Sequence, residues 1–199
     1  MTKPIVKARA LMRHRSAVRS KDLTAAGIAR THLSRLTAAG ELVRVARGLY
    51  ALPDRSPGTQ EGLAVVAQRV PGALFCLLTA LRLHELTSVA PFEVWIAIGN
   101  KERVPRPAWP PLRVVRYSGA ALSSGIETRT VAGARVRLTT VAKTVADCFK
   151  FRRTVGLDVA RDALREALRG KRTSVDELWK FAKICRVTAI MRPYLDALA

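Results

Sequence analysis

The sequence has few cysteines and no long apolar run, and each scarcity argues against a class of protein. Its three cysteines, Cys76, Cys148 and Cys185, are far apart and odd in number, so they do not form a disulfide framework. No run of about 18 apolar residues is present, which argues against a membrane span. The N-terminus also lacks the apolar core of a secretory signal. We therefore predict buried free thiols in a reducing, cytoplasmic compartment.

Motifs for nucleotides and metals are missing as well. Neither GxxxxGK nor GxGxxG occurs, so the sequence offers no phosphate-binding glycine loop. The pair His84-Glu85 resembles half of a zinc-protease motif, but position 88 is serine where that motif needs a second histidine. We predict neither a cofactor nor a metal site.

What the sequence does have is positive charge. Lysine and arginine exceed aspartate and glutamate by 35 to 15, a formal net charge of +20 that favours a polyanionic partner. Arginine outnumbers lysine by 26 to 9, and part of that excess is also typical of a GC-rich genome. The distribution is more informative than the total, because residues 1–52 contain 11 basic and only 2 acidic residues. The excess is concentrated in the first quarter of the chain.

That first quarter contains the pattern of a helix-turn-helix. A short helix is predicted from Ser20, and Gly27 follows it as the residue that most easily turns the chain sharply. A second helix is predicted up to Gly40, with Leu33 and Leu36 on its buried side.

The opposite side of the second predicted helix is small, hydroxylated and cationic; it contains Arg30, Thr31, Ser34 and Arg35. No acid occurs between Leu23 and Gly40. Such a face can approach a DNA duplex and donate hydrogen bonds to base edges and phosphates. An ordinary helical hairpin with a mild positive bias would show the same outline.

The residues after this helix predict a β-hairpin that turns at 46–48, which would be the wing of a winged helix-turn-helix. In this interpretation Val43 and Val45 point inward and Arg44 points outward. Arg47 would lie at the tip, where it could contact the DNA backbone or the minor groove.

The remaining chain predicts a second domain. Turn-forming residues at 53–59 indicate a linker, and strands are predicted at 92–98, at 112–117 and in a hairpin over 125–140. Helical periodicity dominates the last third, including 139–151. The fold class is thus α+β. A winged helix-turn-helix occupies 1–52, and an α/β domain with about four strands and several helices occupies 60–199.

The segment DLTAAGIARTHLSRLTAAGELVRVARGLYALPD resembles the N-terminal domain of the AbiEi family, the antitoxin and transcriptional-regulator half of type IV toxin–antitoxin systems related to abortive infection. The resemblance is strongest in the second domain, where it covers seven segments: CLLTALRLHEL, FEVWIAI, RVVRYSG, the GIE at 125–127, AKTVADCFKFR, GLDVARDALREAL and MRPYLDAL.

This resemblance implies a DNA-binding repressor, not an enzyme. Its winged helix would bind inverted repeats of double-stranded DNA in its own promoter. Its second domain would act in phage defence by neutralising a nucleotidyltransferase-type toxin, without a stable complex being implied.

A polar group in the second domain is open to more than one interpretation. Lys143, Asp147 and Lys150 share one face of a predicted helix. They could form an ion pair on a solvated face, or, with Glu127, a site for phosphate or for a partner such as the toxin. A metal-dependent nuclease targeted to DNA would need at least two converging carboxylates, and acids are sparse here. An RNA-binding accessory protein is a further alternative.

Overall fold

The structure is a computed structural model that describes most of the chain. The residues it describes are 3–12, 18–46, 48–52, 60–89, 91, 93–105, 107 and 110–197. The predicted linker at 53–59 lies outside these residues, as does Arg47.

The N-terminal part contains three helices and three short strands. These are α1 (Lys3–Leu11), β1 (Val18–Arg19), α2 (Ser20–Ala25), α3 (Arg30–Ala38), β2 (Val43–Ala46) and β3 (Leu49–Ala51). The strands form an antiparallel sheet in the order β1-β3-β2. Leu23, Leu33 and Leu36 pack together with apolar residues of α1 and β1 in one core. The predicted helices and hairpin are confirmed, and β1 is an addition.

The turn between α2 and α3 follows from its glycine. Gly27 has a φ of 81°, in the left-handed region that residues with a Cβ adopt only with strain. The amide N–H of Ile28 then donates to the carbonyl of Leu23 at 3.0 Å, which closes α2 and buries Ile28 completely. The two helices therefore leave the turn with their leucines in a common core.

The predicted alternation along β2 is wrong for Val43. The register places Val43 opposite Ala51 and Arg44 opposite Tyr50. Val43 is 42% exposed, whereas Tyr50 packs against the N-terminal core. Strand β2 lies at the edge of the sheet and its register shifts between Arg44 and Ala46, so a period of two does not define an inner face along it. Arg44 is exposed, as predicted.

The second part is built on a sheet of five strands, one more than the predicted four. These are β4 (Leu74–Phe75), β5 (Val94–Gly99), β6 (Leu112–Tyr117), β7 (Ile126–Val131) and β8 (Ala134–Thr139). Their order is β6-β5-β4-β8-β7, with β4 parallel to β8 and antiparallel to β5. The additional strand, β4, has only two residues, yet it lies at the centre of the sheet.

Helices cover both faces of this sheet. They are α4 (Gln60–Arg69), α5 (Leu77–Leu83), α6 (Ala120–Ser123), α7 (Val141–Lys150), α8 (Arg152–Val155), α9 (Leu157–Arg169), α10 (Val175–Cys185) and α11 (Thr188–Asp196). Leu63 and Val66 of α4 pack with Ile96 and Leu138 on one face. The other face packs against α5, α7 and the helices after them. Within the described residues, no helix is long and apolar enough to cross a membrane.

Candidate nucleic-acid interface

Helix α3 separates its apolar and polar side chains cleanly. Leu33 and Leu36 are 1% and 6% exposed. On the other side, four polar side chains are exposed to solvent: Arg30, Thr31, Ser34 and Arg35. The sequence predicted this set, and the structure brings it together on one surface.

The hydroxyl groups on α2 and α3 differ in whether they already donate a hydrogen bond within the chain. Thr37 donates to the carbonyl of Leu33 at 2.8 Å, and Thr24 on α2 donates to Ser20 at 2.7 Å. Thr31 and Ser34 make no such bond within the part of the chain that the structure describes. Their hydroxyls are therefore available to a partner.

The cations of this surface are not neutralised. Arg30, Arg35 and Arg44 form no ion pair among the described residues, and the acids that flank α3 in sequence, Asp22 and Glu41, form none either. An exposed arginine without a carboxylate partner keeps its guanidinium donors free for a phosphate or a base edge. The surface thus offers uncompensated charge and free hydrogen-bond donors together.

The polar group of the second part lies in quite different surroundings. Lys143 and Asp147 form an ion pair with 2.5 Å between Nζ and Oδ2, and both side chains are fully buried. The prediction of a solvated face is therefore wrong for these two residues. The thiol of Cys185 on α10 donates to Oδ1 of Asp147 at 3.2 Å, and Nζ of Lys143 lies 4.4 Å from the ring centre of Tyr117. Helix α10 and strand β6 cover the pair.

Burial dominates the ionisation of this cluster. It raises the pKa of the Asp147 carboxyl, although the neighbouring Lys143 ammonium acts to lower it. Burial also raises the pKa of the Cys185 thiol to about 12. The free cysteines Cys76 and Cys148 are buried with raised pKa values as well, so all three thiols stay protonated, as their predicted burial implies.

The two other residues of the predicted partner site lie elsewhere. Lys150 is exposed at the end of α7. Glu127 accepts from Nε of Arg129 at 2.6 Å, and a guanidinium nitrogen of Arg129 lies 2.9 Å from Nδ1 of His84. These residues do not form one accessible cluster with Lys143 and Asp147. Among the residues that the structure describes, no group of three His, Cys, Asp or Glu could hold a metal ion.

Sequence reasoning missed the partners that come from distant elements. His84 lies between Arg129 and the carbonyl of Thr139, which it approaches at 2.7 Å through Nε2. Burial lowers the pKa of His84. The four-residue spacing of Lys143 and Asp147 did indicate their pairing. No local signal indicates Tyr117 or Cys185 as neighbours of this pair, or Arg129 as a neighbour of His84. Each of them is far from that partner in sequence.

Comparisons with known proteins place part of this chain in context. Among curated proteins, no match was found. Among solved structures, the chain is similar to the RV2827C protein from Mycobacterium tuberculosis, with 15% identity and a TM-score of 0.48 over 92% of this chain and 72% of that chain. Residues 8–53 match the family model described as transcriptional regulator, AbiEi antitoxin. The resemblance to the AbiEi family predicted from the sequence is therefore confirmed over residues 8–53, and the resemblance of the later segments stays a prediction.

Proposed function

We propose that the chain is a DNA-binding transcriptional autoregulator and the antitoxin of a type IV toxin–antitoxin system. The observation that carries the proposal is the exposed face of α3. It combines two arginines and two hydroxyls that have no partner among the described residues, and it lies within the segment that matches the AbiEi family. Both kinds of group donate hydrogen bonds to DNA.

In this proposal residues 1–52 act as a winged helix-turn-helix. Helix α3 would enter the major groove, where Arg35 can make the bidentate contact to guanine that discriminates between bases by about 1–3 kcal/mol. Arg30, Thr31 and Ser34 would contact base edges and nearby phosphates. Arg44 and Arg47 would bind the backbone beside the groove. The DNA would be the inverted repeats of the chain's own promoter, which places its action in the cytoplasm.

The second part, residues 60–199, would neutralise a nucleotidyltransferase-type toxin. The apolar cores support a division near 53–59, since the buried cluster of the N-terminal part contains residues 5–52 and the other two contain residues 63–195. Two parts with separate cores can have separate activities. A stable complex with the toxin is not required.

Regulation is favoured over the nuclease alternative by the location of the acids. Asp147 is buried in an ion pair, and Glu127 is bonded to Arg129. A nuclease would need carboxylates that converge on a site open to substrate. The family matched by the N-terminal part is described as a transcriptional regulator.

The test uses the full chain and two readouts. Electrophoretic mobility shift measures binding to the DNA immediately upstream of the chain's own gene, and growth of cells that express the adjoining toxin gene measures neutralisation. We expect Arg35→Ala to lose binding to the upstream DNA while it still restores growth. The matched control is Arg69→Ala, an exposed arginine in the last turn of α4, which should leave both readouts unchanged. Loss of growth rescue in Arg35→Ala would show that repression alone accounts for neutralisation.

A further inference from the structure

Helix α1 carries charge that the helix-turn-helix itself does not. The first 21 residues of the chain contain seven lysines and arginines and no acid. Ile5, Ala8 and Met12 anchor α1 in the N-terminal core with exposures of 1% or less. Lys7 and Arg9 both extend from this helix into solvent. The helix is thus fixed by its apolar residues and presents cations to solvent.

Lys7 is directed at the turn that precedes α3. Its Nζ lies 3.5 Å from the position that a Cβ on Gly27 would occupy. Gly27 is three residues before Arg30, the first residue of α3. The ammonium group of Lys7 therefore lies beside the start of the helix whose outer face carries Arg30, Thr31, Ser34 and Arg35. It forms no ion pair with any described residue.

Arg9 provides a natural comparison on the same helix. It is two residues after Lys7, so its side chain leaves α1 at about 200° around the helix axis from that of Lys7. Both residues are exposed and both carry one positive charge. They differ in which side of the helix they occupy.

We propose that Lys7 binds a backbone phosphate of the DNA duplex at the edge of the groove that α3 enters. The proposal rests on the proposed function, and it adds α1 as a contacting element. A lysine ammonium is a compact point charge that binds a phosphate without reading sequence. The contact would fix the position of α3 along the groove, and Arg35 would then select the bases.

The experiment compares Lys7→Gln and Arg9→Gln in the full chain. Affinity is measured by fluorescence anisotropy against salt concentration, on the duplex upstream of the chain's own gene and on a shuffled duplex of the same composition. For Lys7→Gln we expect the affinity for both duplexes to fall roughly fivefold. The slope of log affinity against log salt should become shallower by about one, because a complex with one phosphate contact fewer releases about one counterion fewer. For Arg9→Gln we expect less than a twofold loss and an unchanged slope.

Each other outcome overturns the proposal. Equal losses from Lys7→Gln and Arg9→Gln would mean general attraction between a basic helix and DNA, with no specific contact. A loss confined to the upstream duplex would make Lys7 a base-reading residue. An unchanged Lys7→Gln variant, beside an Arg35→Ala variant that loses its preference for the upstream duplex, would refute the α1 contact and leave the proposed function standing. Thermal unfolding of both variants checks that the fold is retained.

Discussion

The two parts of the molecule differ in whether charged side chains form ion pairs among the described residues. All five ion pairs among the described residues lie between residues 127 and 169. Within 18–46 and 48–52, Arg30, Arg35 and Arg44 are exposed and form none. Each pair lies within a single helix or strand, and Arg129 in addition donates to the carbonyl of Leu83 at 2.8 Å, which joins β7 to α5. These three arginines of the first part are not neutralised within the described fold, so their positive charge can attract a polyanion.

The largest effect is expected where the second part buries its charge. Lys143→Ala or Asp147→Ala leaves one uncompensated charge in the core, which should cost about 3–5 kcal/mol of unfolding free energy. The double variant Lys143→Met/Asp147→Leu removes both charges at similar volume and should recover most of that loss. Chemical denaturation measures all three. If the double variant is as unstable as either single one, the pair stabilises the fold by more than mutual neutralisation.

The next effect concerns the space beside this pair. A Cβ on Gly125 would lie 2.6 Å from the ring of Phe181 and 2.9 Å from Cβ of Lys143, at a φ of +65°. Gly125→Ala should therefore cost about 3 kcal/mol through overpacking and backbone strain together. Gly133→Ala is the matched control, because Gly133 has a φ of +78° with nothing within 4 Å. It should cost about 1 kcal/mol, and equal losses in the two variants would show that strain alone accounts for both.

In the first part, removal of a charged side chain should affect binding and not folding. Arg35→Ala should reduce the preference for operator over random DNA by about 1–3 kcal/mol. The free energy of unfolding should change by less than about 0.5 kcal/mol, since the side chain is exposed and forms no ion pair with the residues that the structure describes. Competition binding and denaturation on the same sample check both. A large loss of stability would remove the contrast between the two parts.

The smallest effect is a dependence of stability on pH. Burial lowers the pKa of His84 below its ordinary value of 6.5, so the folded chain binds fewer protons than the unfolded one just below that pH. Stability from this residue is complete above pH 6.5 and falls as the pH drops below it. We expect a lower melting temperature at about pH 5.5 than at about pH 7.5. His84→Asn should lose this difference, and a difference that persists would belong to other groups.

The sequence predicted which segments form helices and strands better than it predicted what those segments pack against. Ser174 and Glu177 have the spacing of a capping box, and the box is present at the start of α10: the amide of Glu177 donates to the Ser174 hydroxyl at 3.1 Å. Strand β1 was not predicted, and β4 was not counted among the four predicted strands, because two residues cannot show a period. The pairing of Lys143 with Asp147 follows from their spacing, but their burial does not, because α10 and β6 come from distant segments.

The four residues predicted on α3 lie together because one helix carries them all. A set of residues on one helix depends only on its period, and the apolar residues Leu33 and Leu36 identify the inner side. The predicted site of Glu127 with Lys143 and Asp147 depended on how a strand and a helix pack against each other. Tertiary packing decides that arrangement, and the sequence carries no local record of it.

The two-residue strand β4 has a consequence for the order in which the parts of the chain fold during synthesis. Leu74 and Phe75 pair with Ala97 and Ile96 on one side and with Arg137 and Leu138 on the other. On the ribosome, the centre of this sheet therefore has to wait until residue 138 has been synthesised and has left the exit tunnel. Every element of the N-terminal part has been translated by Leu52, and its contacts are short in sequence, so we expect it to fold first. A nascent chain would then present α3 to DNA while its second half is still being translated.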